Sequence, residues 1–114
     1  MSHVRDLLHA KGNEVWSISP EASVFDAIKM MAEKHVGALV VVQEGRLVGI
    51  VSERDYARKV ILRQKSSRST PVREIMTGRV IYVHPHQEIG DCMALMTDKA
   101  IRHLPVLGDD EAVI

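Results

Sequence analysis

The chain has 114 residues, and its 15 Lys and Arg balance its 15 Asp and Glu, so no overall field draws it to nucleic acid or an anionic membrane. Hydrophobic residues make up 46% and charged residues 26%, enough for one globular core, and one Trp, two Tyr and one Phe leave that core aliphatic. The single cysteine, Cys92, excludes an internal disulfide.

The first predicted element is a short strand, Val15–Ser19, ended by Pro20, which cannot donate to a ladder. Val24, Ala27, Ile28 and Met31 then follow helical spacing, with Ser23 as N-cap, Asp26 at the third position, and Gly37 expected as the left-handed residue past the end. Ala38–Val42 is an almost unbroken apolar run, the pattern of a strand covered on both faces. Glu44-Gly45 turns the chain into a second strand, Leu47–Val51, and Ser52 opens a helix carrying Tyr56, Ala57, Val60 and Ile61. QKSSRSTP is polar and holds no expected core position, so it reads as a linker. Beyond it come strand Val80–Val83, helix Glu88–Lys99 and strand Leu104–Leu107.

These elements repeat. Pro20 and Pro85 are 65 residues apart, and the same offset aligns Val24 with Ile89, Asp26 with Asp91, Met31 with Met96, Leu39 with Leu104 and Val41 with Val106. The sequence is therefore an α/β chain of two β-α-β-β-α units with small sheets packed against helices. The expected division is 1–63 for the N-terminal segment and first unit, 64–71 for the linker, and 72–114 for a second unit. The chain stops at Ile114, inside a strand of the second unit, and lacks counterparts of Gly49 to Arg63, so a natural continuation beyond this residue is expected.

GALVVVQEGRLVGIVSERD in the first copy, IMT (Ile75 to Thr77) before the second and RHLPVL (Arg102 to Leu107) within it resemble the cystathionine-β-synthase (CBS) domain pair. The stretch KGNEVWSISPEASVFDAI is similar to small stand-alone members of that family. The resemblance implies a tandem CBS pair that binds an adenine-containing ligand, such as AMP, ATP, NAD or S-adenosylmethionine, in a cleft between copies, and that forms homodimers.

The strongest local candidates are Ser52, Arg54 and Asp55, after Gly49-Ile50-Val51. A strand running directly into a helix start presents unpaired N–H groups to an anion, and an ionised Asp can accept two ribose hydroxyls. The resemblance implies that Asp55 takes the ribose and that the Ser52 hydroxyl lies near phosphate. The same letters are also a capping box, a pattern that Ser23 and Asp26 share. By resemblance, Gly37, Ala38, Leu39 and Val40 face the adenine, and the opposing wall holds Thr77, Gly78, Arg79 and Val80. Arg102, His103 and Pro105 are expected to line a second site, opposite Lys11, Gly12 and Asn13 by the repeat offset. That site lacks a ribose acceptor because the second copy stops early, so the first is expected to be the functional one.

Other features read as structural. His84 and His86 have no further ligands at metal-binding spacing, and Cys92 takes the place of Ala27 on a buried helix face. Residues 53–73 carry seven Lys and Arg against Glu53 and Asp55, a solvated face that could also attract a polyanionic ligand but lacks aromatic residues for stacking nucleic acid. No nucleophile–base pair and no glycine-rich phosphate loop is present. The sequence thus reads as a regulatory, energy-sensing module and not an enzyme, with a pure dimerisation or protein-interaction domain as the alternative. No stretch reaches the roughly 18 apolar residues of a membrane span, and the N-terminus is charged where a signal peptide is apolar, so a cytoplasmic location is expected.

Overall fold

Val24, Ala27 and Met31 form the buried stripe of helix α1, Val24–Lys34. The structure, a computed structural model, describes residues 3–6, 15–99, 101 and 103–108. Ser23 Oγ accepts the Asp26 N–H at 3.1 Å, which is the predicted N-cap. The other end differs from expectation. The left-handed residue is His35, at φ 56° and ψ 44°, and Gly45 is the one glycine with positive φ among the described residues. The N–H groups of His35 and Val36 both return to the Met31 carbonyl, so the helix is closed before Gly37 is reached.

Beyond the helix lies a three-stranded sheet in the order β1-β2-β3, made of β1 (Ser17–Ile18), β2 (Ala38–Gln43) and β3 (Arg46–Ser52). β1 runs parallel to β2, and β2 runs antiparallel to β3. Glu44 and Gly45, at φ 52° and 78°, make the turn whose backbone matches strand twist. Val41 pairs with Gly49 but Val42 pairs with Leu47, so Val48 is the extra residue of a bulge. Leu39, Val41 and Val51 are buried in one core cluster with Ile18, Val24, Ala27, Met31, Val60, Val72 and Ile75. After Ser52 the chain enters α2, Glu53–Tyr56, which continues as a π-helical turn, Ala57–Ile61, with Val60 inside and Ile61 outside.

The expected linker is a strap. Phe25 N–H donates to the Ser67 carbonyl, Val24 N–H to Thr70, and the N–H groups of Val72 and Arg73 to Ala22 and Pro20. Arg68 lies over the Phe25 ring at 4.1 Å, and Arg73 pairs with Glu21 at 3.1 Å. Thr70 is buried, which corrects the expectation that this stretch holds no core position. Its carbonyl satisfies the start of α1, and a helix start leaves N–H groups that need such a partner.

The chain divides into two compact units. One is Trp16–Val80, and the described residues on either side of it form the other. In that second unit Val4 N–H donates to the Gln87 carbonyl and His3 bridges Glu88, so the N-terminus joins the second repeat. Helix α3, Ile89–Lys99, matches α1 residue for residue at the 65-residue offset, and Cys92 is buried where Ala27 was. The strands expected at Val80–Val83 and Leu104–Leu107 shrink to one parallel bridge, Val83 to Val106, at the offset of Ile18 to Val41. Pro105 explains the loss. It stands where Val40 donates to Trp16 in the first repeat, and proline has no N–H.

Gly49 is a packing requirement of the larger unit. A Cβ at this position would sit 2.6 Å from Met76 Sδ and 3.1 Å from the Thr77 carbonyl oxygen. Gly49→Ala is therefore expected to destabilise the chain by about 1–3 kcal/mol, the usual range for overpacking. Urea unfolding checks this, and adding Met76→Ala should restore part of the loss, because the nearest obstacle is a flexible side chain.

Candidate functional site

The register of β2 and β3 assembles the first-copy candidates. Ala38 is opposite Ser52, Val40 is opposite Ile50, and Ile50 in turn exchanges both backbone hydrogen bonds with Thr77, at 3.1 and 2.9 Å. Side chains directly opposite share a face, so Ala38, Val40, Ser52 and Thr77 lie on the face away from Leu39, Val41 and Val51. Leu39 is 1% exposed and belongs to the core, so its side chain does not join the others. Gly37 is held at the same end, its carbonyl accepting the Glu53 N–H at 3.0 Å.

Ser52 and Asp55 form a complete capping box. Ser52 Oγ accepts the Asp55 N–H at 3.2 Å, while Asp55 Oδ2 accepts the Ser52 N–H at 2.9 Å and the Ser52 hydroxyl at 3.0 Å. Two of the N–H groups expected to be unpaired at the helix start, those of Glu53 and Asp55, are engaged. Asp55 Oδ1 has a further partner, Lys59 Nζ at 3.2 Å, and the same ammonium donates to the Ile75 carbonyl at 2.9 Å. Lys59 and Ile75 were not among the sequence candidates. The spacing of Asp55 and Lys59, four apart on one helical path, was the available signal.

Arg54 and Arg79 are exposed and Val80 is half-buried. His103 is exposed and Pro105 buried, both in the other compact unit, where the Pro105 carbonyl accepts the Val83 N–H. Lys11, Gly12 and Arg102 lie outside the described residues. A groove of ≈ 610 Å³ opens between α1 and α2, lined mainly by Ile28, Met31, Val36, Tyr56 and Ala57, and reaches the candidate residues at Gly37 and Glu53.

The remaining reactive side chains have structural settings. The His84 and His86 rings stack at 5.6 Å, and His84 Nδ1 meets the Leu107 carbonyl at 2.9 Å. Among the described residues no group of three or more His, Cys, Asp or Glu is arranged to hold a metal. Burial, with Asp91 adding to it, pushes the Cys92 thiol above its ordinary range, away from the thiolate a nucleophile needs. No helix among the described residues is long and apolar enough to cross a membrane.

Known proteins give this arrangement a family. The CBS domain model matches residues 4–62 and 72–114. The mitochondrial CBS domain-containing protein CBSX3 of Arabidopsis thaliana is 46% identical over 105 residues, covering 88% of this chain and 50% of its own length. The CBS domain-containing protein YhcV of Bacillus subtilis is 30% identical, with 99% of this chain and 78% of its own covered. The chain thus spans about half of the Arabidopsis protein and over three quarters of the bacterial one. A solved structure of a CBS-domain protein from Burkholderia ambifaria, assigned to signal transduction, superposes with a TM-score of 0.95 at 50% identity, covering 99% of this chain and 85% of that one. The CBS domain pair of MJ0100, solved with 5′-methylthioadenosine and S-adenosyl-L-methionine, superposes with a TM-score of 0.88 at 27% identity, covering 100% of this chain and 86% of that one. With its two repeats matched over most of its length, the chain belongs to the CBS domain family as a pair of CBS repeats.

Proposed function

We propose that the chain is a non-catalytic regulatory module that binds an adenine nucleotide of the AMP, ATP or NAD class at the site served by Ser52 and Asp55. The observation that carries this is the meeting of Gly37, Ala38 and Val40 with Ser52–Asp55 across β2 and β3, and with Thr77 through its bridge to Ile50. An apolar stretch able to take a base there adjoins a carboxylate able to take a ribose. The adenosine ligands of MJ0100 support the chemical class. An aqueous, reducing compartment such as the cytoplasm suits the lone protonated thiol of Cys92.

The capping box changes how this proposal is tested. Asp55→Ala removes both the cap and the Lys59 partner, so it should destabilise the ligand-free chain by about 0.5–2 kcal/mol whether or not a ligand binds. Asp55→Asn keeps an oxygen for the Ser52 N–H and removes the charge. Losing a charged acceptor for ribose should cost roughly 1.5–3 kcal/mol, or about 10–150-fold in affinity. Calorimetry with AMP, ATP and NAD is expected to show that loss in Asp55→Asn, with a smaller fall in melting temperature than in Asp55→Ala. Equal affinity in variant and parent overturns the site.

The groove between α1 and α2 supports a second element of the proposal, a homodimer packed through these helices. Small two-repeat modules bury limited area alone, and closed two-fold pairs are the commonest assembly. Ala32, exposed on α1 and facing the groove, is the point of test. Light scattering should report twice the 12.7 kDa chain mass for the parent and a shift to monomer for Ala32→Glu. A parent that is monomeric at micromolar concentration refutes the dimer.

A further inference from the structure

Lys59 closes a circuit. Its ammonium holds Asp55 Oδ1 at 3.2 Å and the Ile75 carbonyl at 2.9 Å. Two residues on, Thr77 is bonded in both directions to Ile50, and β3 carries Ile50 directly to Ser52, whose N–H and hydroxyl hold Asp55 Oδ2. Each link is a hydrogen bond or a stretch of one or two residues. The circuit therefore joins the first turn of α2 to the segment between the repeats by hydrogen bonds and short stretches of backbone.

The setting favours a specific role over a casual surface pair. The Asp55 side chain is only 15% exposed and that of Lys59 34%, so water competes weakly for the carboxylate. Ile75 is buried, so its carbonyl is carried on backbone that the core holds still. An ammonium fixed to such a carbonyl is a fixed point from which to aim a neighbouring carboxylate. The flexible Lys stem loses its freedom to that bond, not to Asp55. Meanwhile Ser52 fills both acceptor positions of Asp55 Oδ2 and Lys59 holds Oδ1, which leaves the carboxylate a single orientation, with acceptor capacity still in hand on Oδ1.

We infer that Lys59 is a positioning residue that orients Asp55 and couples it to the Ile75–Thr77 segment, so that a ligand drawing on Asp55 is felt in the backbone between the repeats. The inference rests on Asp55 as ribose acceptor only for its effect on binding; the coupling itself exists in the ligand-free chain. Arg, with several donors in a fork, can serve both the carboxylate and the carbonyl, whereas Met fills the space and serves neither.

The test uses AMP as probe on the full chain with Lys59→Met, Lys59→Arg, Asp55→Asn and the double variant Lys59→Met/Asp55→Asn. Lys59→Met is expected to weaken AMP by about tenfold, the scale of one charge-assisted hydrogen bond, and Lys59→Arg to recover most of it. In the Asp55→Asn background Lys59→Met should cost almost nothing more, since coupled residues do not add. Independent, multiplying losses overturn the inference. Amide exchange in the ligand-free chain gives the second readout. Lys59→Met should speed exchange at the Ser52 and Thr77 amides together, leave the Val24 amide unchanged, and be reversed in Lys59→Arg. If the parent binds no AMP, the ribose site fails while exchange still decides the coupling. Thr77 changing without Ser52, or all three amides changing alike, overturns the coupling.

Discussion

Pairing of Ala38 with Ser52 and of Val40 with Ile50 decides which residues face the main core and which share the candidate site's face. Side chains alternate along a strand, so this register sends Leu39, Val41 and Val51 into the apolar cluster and leaves Ala38, Val40, Ile50 and Ser52 on the opposite face. A slip of one residue would exchange the two sets. Glu44 and Gly45, both left-handed, set the register at one end, and the bulge at Val48 adjusts it before the turn. Gly49, without a side chain, then lets Met76 and Thr77 approach β3, and the second wall of the site follows from that approach.

Much of this was legible because the chain states its plan twice. The repeat offset placed helix α3 opposite α1 and set Cys92 on the buried face that Ala27 occupies. The same offset misled at Pro105, where side-chain similarity hid the loss of one backbone donor. His35 was missed for a related reason. Residue type favours the glycine two residues on as the left-handed residue, but the His35 and Val36 N–H groups meet the Met31 carbonyl first.

The candidate site was legible in its side chains and obscure in its backbone. Ser52, Asp55 and the apolar run before the turn could be named from residue types, because hydroxyl, carboxylate and aliphatic groups advertise their chemistry. The partner of Lys59 could not, since a carbonyl belongs to every residue and only the fold selects Ile75. Thr70 shows the same limit. Its burial comes from its backbone oxygen meeting the Val24 N–H, while its letters sit in a polar run that resembles an ordinary connection.

The strap has a consequence for how the two repeats can diverge. A flexible tether tolerates lengthening at small entropic cost, and insertions collect there. Within residues 65–76, the Ser67 and Thr70 carbonyls instead accept from Phe25 and Val24, and the Val72 and Arg73 N–H groups donate to Ala22 and Pro20, so four positions are each tied to a particular atom of the first repeat. An extra residue in this stretch would break several of those ties at once. The spacing of 65 residues between repeats is thereby held in part by hydrogen bonding.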